Sequence, residues 1–139
     1  AMLLGKIRQA EVQNLCLHPG DVRDLFDVLP TGCLSKVFLN YPDPWPKARH
    51  AKRRMMNPGP LDMIAAKLKP GGEFRFGTDH PIYCRWAMMQ MNQRQDFIWQ
   101  AQTASEMLIR PDDWPETRYE RKARTVFGHD VWYFRYIRV

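Results

Sequence analysis

Prolines at positions 42, 44 and 46 follow directly on the apolar run Val37-Phe38-Leu39, and this junction constrains the fold more than any other part of the chain. Each proline lacks a backbone N–H and holds φ at about −65°, so neither a helix nor a sheet ladder continues through them. Tyr41, Asp43 and Trp45 each precede a proline and are biased toward extended geometry. The strand must therefore end at Asn40, in a stiff turn whose side chains point in set directions. Three apolar residues without alternation suit a strand buried on both faces of a parallel sheet.

The flanking segments supply the helices such a sheet needs. Met2 to Val12 reads as the tail of a helix, with Leu3, Leu4, Ile7 and Val12 at helical spacing. Asn14 to Leu17 reads as a short strand broken by His18-Pro19-Gly20. Asp21 is placed to cap a helix that carries Val22, Leu25, Phe26 and Leu29 inward. Pro60 to Leu68 is a further helix, stopped by Leu68-Lys69-Pro70-Gly71-Gly72. Phe74 to Phe76 is a strand ending at Gly77-Thr78-Asp79. Pro81 to about Gln95 is a helix with proline in its first turn and Met88, Met89 and Met91 as packing residues. Phe97 to Gln100 reads as a strand, Ile109 to Glu116 as an irregular loop, and Thr117 to Lys122 as a turn or short helix. Val131 to Val139 is a closing, aromatic-rich strand. Strands alternating with crossover helices predict an open, doubly wound α/β sheet with an antiparallel pair at its C-terminal end. Ligands bind beyond the carboxyl ends of the strands in such sheets. Asp21, Asn40 to Trp45 and Thr78-Asp79 all fall there.

A length of 139 residues and an apolar fraction of 45% suit one packed domain. No run of about 18 apolar residues occurs, which excludes a membrane span. The N-terminus lacks the features of a signal peptide, and Ala1 reads as a remnant ahead of an encoded Met2. Cys16, Cys33 and Cys84 are scattered without zinc-ligand spacing, so no metal is expected and buried thiols in a reducing cytoplasm are. The balance of 21 basic against 15 acidic residues favours anionic partners. Its distribution is more informative. From Ser35 to Arg54 the only acid is Asp43, and five of the eight residues from Lys47 to Arg54 are Lys or Arg. A solvated helix face mixes signs; a one-signed run favours phosphate contact, here by Arg49, His50, Lys52, Arg53 and Arg54. A membrane-surface helix would need interleaved large apolar residues, which the run lacks.

The run NYPDPWPKARHAKRR, then LKPGGEFRFGTD, then TRYE and the aromatic last strand, in that order, resembles the bacterial tRNA (guanine-N7-)-methyltransferase family from about Asn14 to Val139. The resemblance implies a Rossmann-like methyltransferase sheet, S-adenosylmethionine as cofactor, and a guanine of the tRNA variable loop as substrate. It implies that Asp21 contacts the cofactor's adenine and that Asp43 sits at the cofactor and reaction centre. Lys47 and Asp79 would contact the substrate, and Thr117, Arg118, Tyr119 and Glu120 would complete its pocket. Asn40 is a strand-end turn residue or a third cofactor contact. The family begins with a β–α–β section whose glycine-rich turn carries the methionine end of the cofactor, and this chain shows no such turn. Residues 1–139 are therefore expected to be the C-terminal part of the catalytic domain. Val37 to Leu39 then becomes an exposed sheet edge, through which the chain is expected to self-associate, to pair with another of its own strands, or to aggregate.

Guanine N7 carries a lone pair and no proton, so methylation there needs no general base. It needs in-line placement and a hold on the base edge. A carboxylate offsets the charge the purine acquires, a role that suits Asp43, while Asp79 or Glu120 could accept from the base edge. Trp45 either packs beneath its loop or, like Tyr41, offers a face to an unstacked base. Asp79 and Asp21 also read as helix caps. Two other readings stand beside this one. Asn40-Tyr41-Pro42 is distantly like the Asn-Pro-Pro-Tyr loop of amino-group nucleic-acid methyltransferases, and the whole could be a non-catalytic tRNA-binding fragment.

Overall fold

The computed structural model describes residues 2–139. The reading of Ala1 lies outside the described residues, as does the predicted inward spacing of the Leu3 and Leu4 side chains. Four strands form one mixed sheet: β1 (Leu34–Asn40), β2 (Leu68–Thr78), β3 (Phe97–Trp99) and β4 (Trp132–Arg138). Their order is β1-β2-β4-β3, with β1 parallel to β2 and β4 antiparallel to both its neighbours. The helices are α1 (Met2–Gln9), α2 (Val22–Val28), α3 (Pro58–Lys67), α4 (Pro81–Met91) and α5 (Arg118–Lys122). The parallel β1–β2 pair joined through α3 and the antiparallel C-terminal end both match expectation.

Alternation along the strands builds two cores. Phe74 and Phe76 of β2 and Phe134 and Tyr136 of β4 point to one face. There they meet Phe26 of α2, Leu61, Ile64 and Ala65 of α3, and Tyr83, Ala87 and Met91 of α4. On the other face Tyr133 packs with Trp114, Ala123 and Val131, against Tyr41. This second face also holds charge. Arg75 of β2 and Arg135 of β4 are directly opposite, a repulsive pairing on its own. Glu73 resolves it: Arg135 Nε donates to Glu73 at 2.8 Å, Arg75 Nη2 at 3.0 Å, and Lys36 Nζ of β1 lies 3.0 Å away. Arg75 also donates to Asp113 at 2.6 Å and lies against the edge-to-face pair of Phe38 and Trp114, so the Ile109–Glu116 loop is bolted to the sheet.

Burial disfavours ionisation of Glu73, but the hydrogen bonds from Arg75, Arg135 and Lys36 outweigh it and hold the carboxyl at about 2. A lowered folded-state pKa gives stability that is complete above the ordinary value of 4.5 and is lost as pH falls toward about 2. Glu73→Gln should flatten that part of the acid-unfolding curve. It should also cost about 1–3 kcal/mol at neutral pH, because buried Arg75 keeps only Asp113 as a charged partner and the facing Arg135 loses its own. Denaturant titrations from neutral to acid pH measure both effects.

Several boundaries differ from the sequence reading. Asn14–Leu17 forms no strand, because the sheet presents it no partner. Val37 and Leu39 are only half-buried and Phe38 is 40% exposed, because β1 is paired on one side alone. Val22 is exposed, leaving Phe26 as the buried residue of α2. The 81–95 helix ends at Met91, and Met88 and Met89 are exposed rather than packed. Cys84 is buried, but Cys16 and Cys33 are exposed, against the expectation for all three. The segment predicted to stop α3 becomes a bulged start of β2. Leu34 pairs with Leu68 and Lys36 with Glu73, so extra residues are looped out on β2. Gly71 takes φ +75 there, and a Cβ on Gly72 would lie 2.8 Å from the Lys69 carbonyl oxygen.

Candidate active site

The carboxyl end of β1 runs into the proline loop, and a bond from Tyr41 N–H to the Gly77 carbonyl at 2.8 Å ties that loop to the end of β2. The pre-proline bias toward extended geometry is not what the loop adopts throughout. Tyr41 has φ 50 and Trp45 φ 43, the left-handed region that bulky side chains avoid. Such conformations cost roughly 1–3 kcal/mol each and persist where surrounding contacts enforce them. Between them Asp43 is exposed.

A cleft of about 570 Å3 opens above this loop, lined by Asp21, Arg23, Pro42, Asp43, Trp45, Lys52, Arg53 and Met55. It brings together Asp21 and Asp43, which are distant in sequence and were assigned to one ligand. Asp21 caps α2 as predicted, accepting from Arg23 N–H at 3.0 Å, and its carboxylate also accepts from the Arg23 guanidinium. These hydrogen bonds hold the Asp21 carboxyl at about 2, so it stays an acceptor. Asn40 stands apart. It is exposed at the end of β1, and its Oδ1 lies 3.6 Å from where a Cβ on Gly77 would be.

The cationic run forms a 3₁₀ turn, Ala48–Arg53, with Lys47 ahead of it. Lys47, Arg49, Lys52 and Arg53 are exposed. Trp45 is half-buried, with the Arg53 guanidinium 4.8 Å from its ring centre and His50 edge-on at 5.7 Å. Arg54 departs from the phosphate-contact expectation. It is 3% exposed, and its guanidinium donates to the carbonyls of Pro44 at 3.0 Å and Trp45 at 2.9 Å.

The Thr117–Glu120 group docks on the same loop from the other side, with the Tyr119 ring stacked 6.0 Å from that of Tyr41. Thr117 is the cap of α5, accepting from Glu120 N–H at 3.1 Å. Glu120 is buried between Arg110 at 3.2 Å and Arg124 at 3.6 Å, while Arg118 and Tyr119 are exposed. Burial, then the neighbouring Tyr133 and Glu120, push the Tyr41 hydroxyl well above the ordinary tyrosine range. Asp79 occupies a third position. It lines a cleft of about 610 Å3 with His80, Pro81, Phe127, Gly128, His129, Asp130 and Trp132. The structure thus unites the Asp21–Asp43 pair and the cationic rim, joins the Thr117–Glu120 group to them through Tyr41, and leaves Asp79 in its own cleft.

Arg23, Arg110 and Arg124 belong to the site and were not anticipated. Arg23 was readable as Asp-x-Arg at a helix start. The other two reach Glu120 only through the fold. Among the described residues no group of three metal-ligating side chains converges, and no helix is long and apolar enough to cross a membrane.

Comparison with known proteins adds two findings. A family model described as "Putative methyltransferase" matches residues 1–133. A protein of Zymomonas mobilis named tRNA (guanine-N(7)-)-methyltransferase is 63% identical over 137 residues, which are 99% of this chain and 59% of that protein. Proteins of the same name from Novosphingobium aromaticivorans and Erythrobacter litoralis are 58% and 54% identical, over 91% and 99% of this chain and 54% and 60% of their own lengths. The chain therefore spans little more than half the length of these relatives.

Proposed function

We propose a function from one premise: the chain belongs to the methyltransferase family whose model its residues 1–133 match. The reading is that it forms the C-terminal part of the catalytic domain of a cytoplasmic tRNA (guanine-N7-)-methyltransferase, whose N-terminal β–α–β section lies outside this chain. One observation carries it. Asp21 and Asp43, drawn from different elements, share a cleft whose rim is the cationic turn. Its size of about 570 Å3 falls within the roughly 300–1,000 Å3 of ordinary ligand sites.

The residues present fit S-adenosylmethionine in part. An ionised Asp21 at the cleft wall can accept from an adenine amino group, and Asp43 complements a cationic centre. When bound, the cofactor supplies an electrophilic methyl group. Asp43 then offsets positive charge as the purine acquires it, in a loop stiff enough to need no reorganisation. Lys47, Arg49, Lys52 and Arg53 hold the RNA backbone, His50 stands beside them, and the Tyr41–Tyr119 stack offers a face for the extruded base. Thr117, Arg118 and Glu120 border that face, and Asp79 contributes from its neighbouring cleft.

Two titrations test this. S-adenosylmethionine, whose sulfonium is the cationic centre Asp43 complements, should give weak but saturable heat that Asp43→Ala lowers about tenfold; a non-catalytic RNA-binding fragment gives none. The triple change Arg49→Ala, Lys52→Ala and Arg53→Ala should weaken tRNA binding and reduce the slope of log K against log salt by about 2 to 3, since each phosphate contact releases counterions. An unchanged slope means that the turn does not meet RNA.

A further inference from the structure

Within the run from Lys47 to Arg54, Arg54 alone is buried, and its surroundings are built rather than incidental. The guanidinium lies 4.6 Å from the Trp86 ring centre on α4 while its N–H groups reach the Pro44 and Trp45 carbonyls. Trp86 is itself fixed, its Nε1 donating to Asn57 Oδ1 at 3.1 Å. Asn57 Nδ2 in turn donates to the Ala51 carbonyl at 2.9 Å, inside the 3₁₀ turn. The contacts thus close a circuit from the proline loop through Arg54 to α4 and back to the cationic turn. The two carbonyls belong to the residues after Asp43, and one of them, Trp45, has the left-handed φ. A lysine could not reproduce this hold. Only a planar fork presents two N–H groups to two successive carbonyls while stacking on an indole.

We propose that Arg54 is a positioning residue. From beneath the loop it holds the strained Pro44–Trp45 backbone so that Asp43 stays turned into the cleft, and it makes no contact with RNA. Its consequence for ligand binding rests on the methyltransferase reading of that cleft; the clamp itself does not.

The first measurement needs no variant. In the 15N-labelled chain, the Arg54 Nε–H should exchange with water at least about 100-fold more slowly than those of Arg49 and Arg53. Equally fast exchange overturns the proposal. The second uses Arg54→Lys, which keeps the charge and removes the fork. Far-UV circular dichroism should remain folded, the near-UV signal of the tryptophans should change, and S-adenosylmethionine affinity should fall about tenfold or more. In Arg54→Gln, which removes the charge, the tRNA salt slope should stay as in the parent chain. A slope lower by about 1 in the glutamine variant, or full ligand affinity in the lysine variant, identifies Arg54 as an ordinary phosphate contact or a bystander and sinks the idea. Ile64→Val, a core change on α3 away from the loop, should leave ligand affinity untouched, which separates positioning from general loss of stability. Where Arg54→Lys does not fold, the exchange rate in the parent chain decides. If the parent chain binds no S-adenosylmethionine, the functional reading fails and the exchange rate still decides the clamp.

Discussion

Asp43→Asn, made in a chain extended by the N-terminal section of its relatives, should lower single-turnover methyl transfer about 100- to 1,000-fold while tRNA affinity stays within about twofold. Asparagine keeps the shape of aspartate and removes only its charge. Pro42 and Pro44 on either side limit how far the loop can relax, and Asp43 projects into the cleft beside Lys52 and Arg53. The charge matters where the purine becomes positive, that is, in the transition state and the product. On the proposed reading, RNA is held through its phosphates by the exposed cations, which the change does not touch. The loss should therefore fall on the chemical step and not on uniform binding. Methyl transfer near the parent rate would show that Asp43 serves the loop and not the reaction.

The second large effect concerns assembly. In concentrated solution the chain by itself should scatter light as a species at least double the mass of one chain, dissociating on dilution. β1 is paired only with β2, so its outer N–H and C=O groups face no strand. Along that edge Phe38 is 40% exposed, and Val37 and Leu39 are only half-buried. Edges that remain in stable monomers are kept short, charged or covered, and here Lys36 is the one charge along β1. A monomer at every concentration would mean that the edge is blunted in some other way.

Much of this was legible because local rules agree with the fold where they are strongest. Proline chemistry ended β1 at Asn40, Asp21 capped α2, and the apolar residues of α3 fell on its inner face. Family motifs named the loop, the cationic turn and Thr117–Glu120, and these do meet at one end of the sheet. The misses share a cause, which is that tertiary partners decide them. Asn14–Leu17 has strand propensity but no neighbour to pair with. Val37–Leu39 reads as doubly buried because its composition presumes a flanking strand. Arg54 is one of three basic residues in a row, and nothing local distinguishes the one that turns inward beneath Trp45. Glu73-x-Arg75 was visible as charge at alternate positions of an apolar strand, yet its meaning depended on Arg135, which is 62 residues beyond Glu73.

The place of β4 has a consequence for how this chain is made. The last strand of the sequence, Trp132–Arg138, lies inside the sheet between β2 and β3 rather than at its rim. During synthesis β2 has emerged and waits with Phe74 and Phe76 uncovered on one side while the ribosome still holds the partner that completes it. The sheet cannot close until Trp132–Arg138 has emerged, and until then the half-built surface is open to contact with other chains. Loss of β4 would do more than shorten the chain: it would deprive β2 and β3 of the strand that joins them.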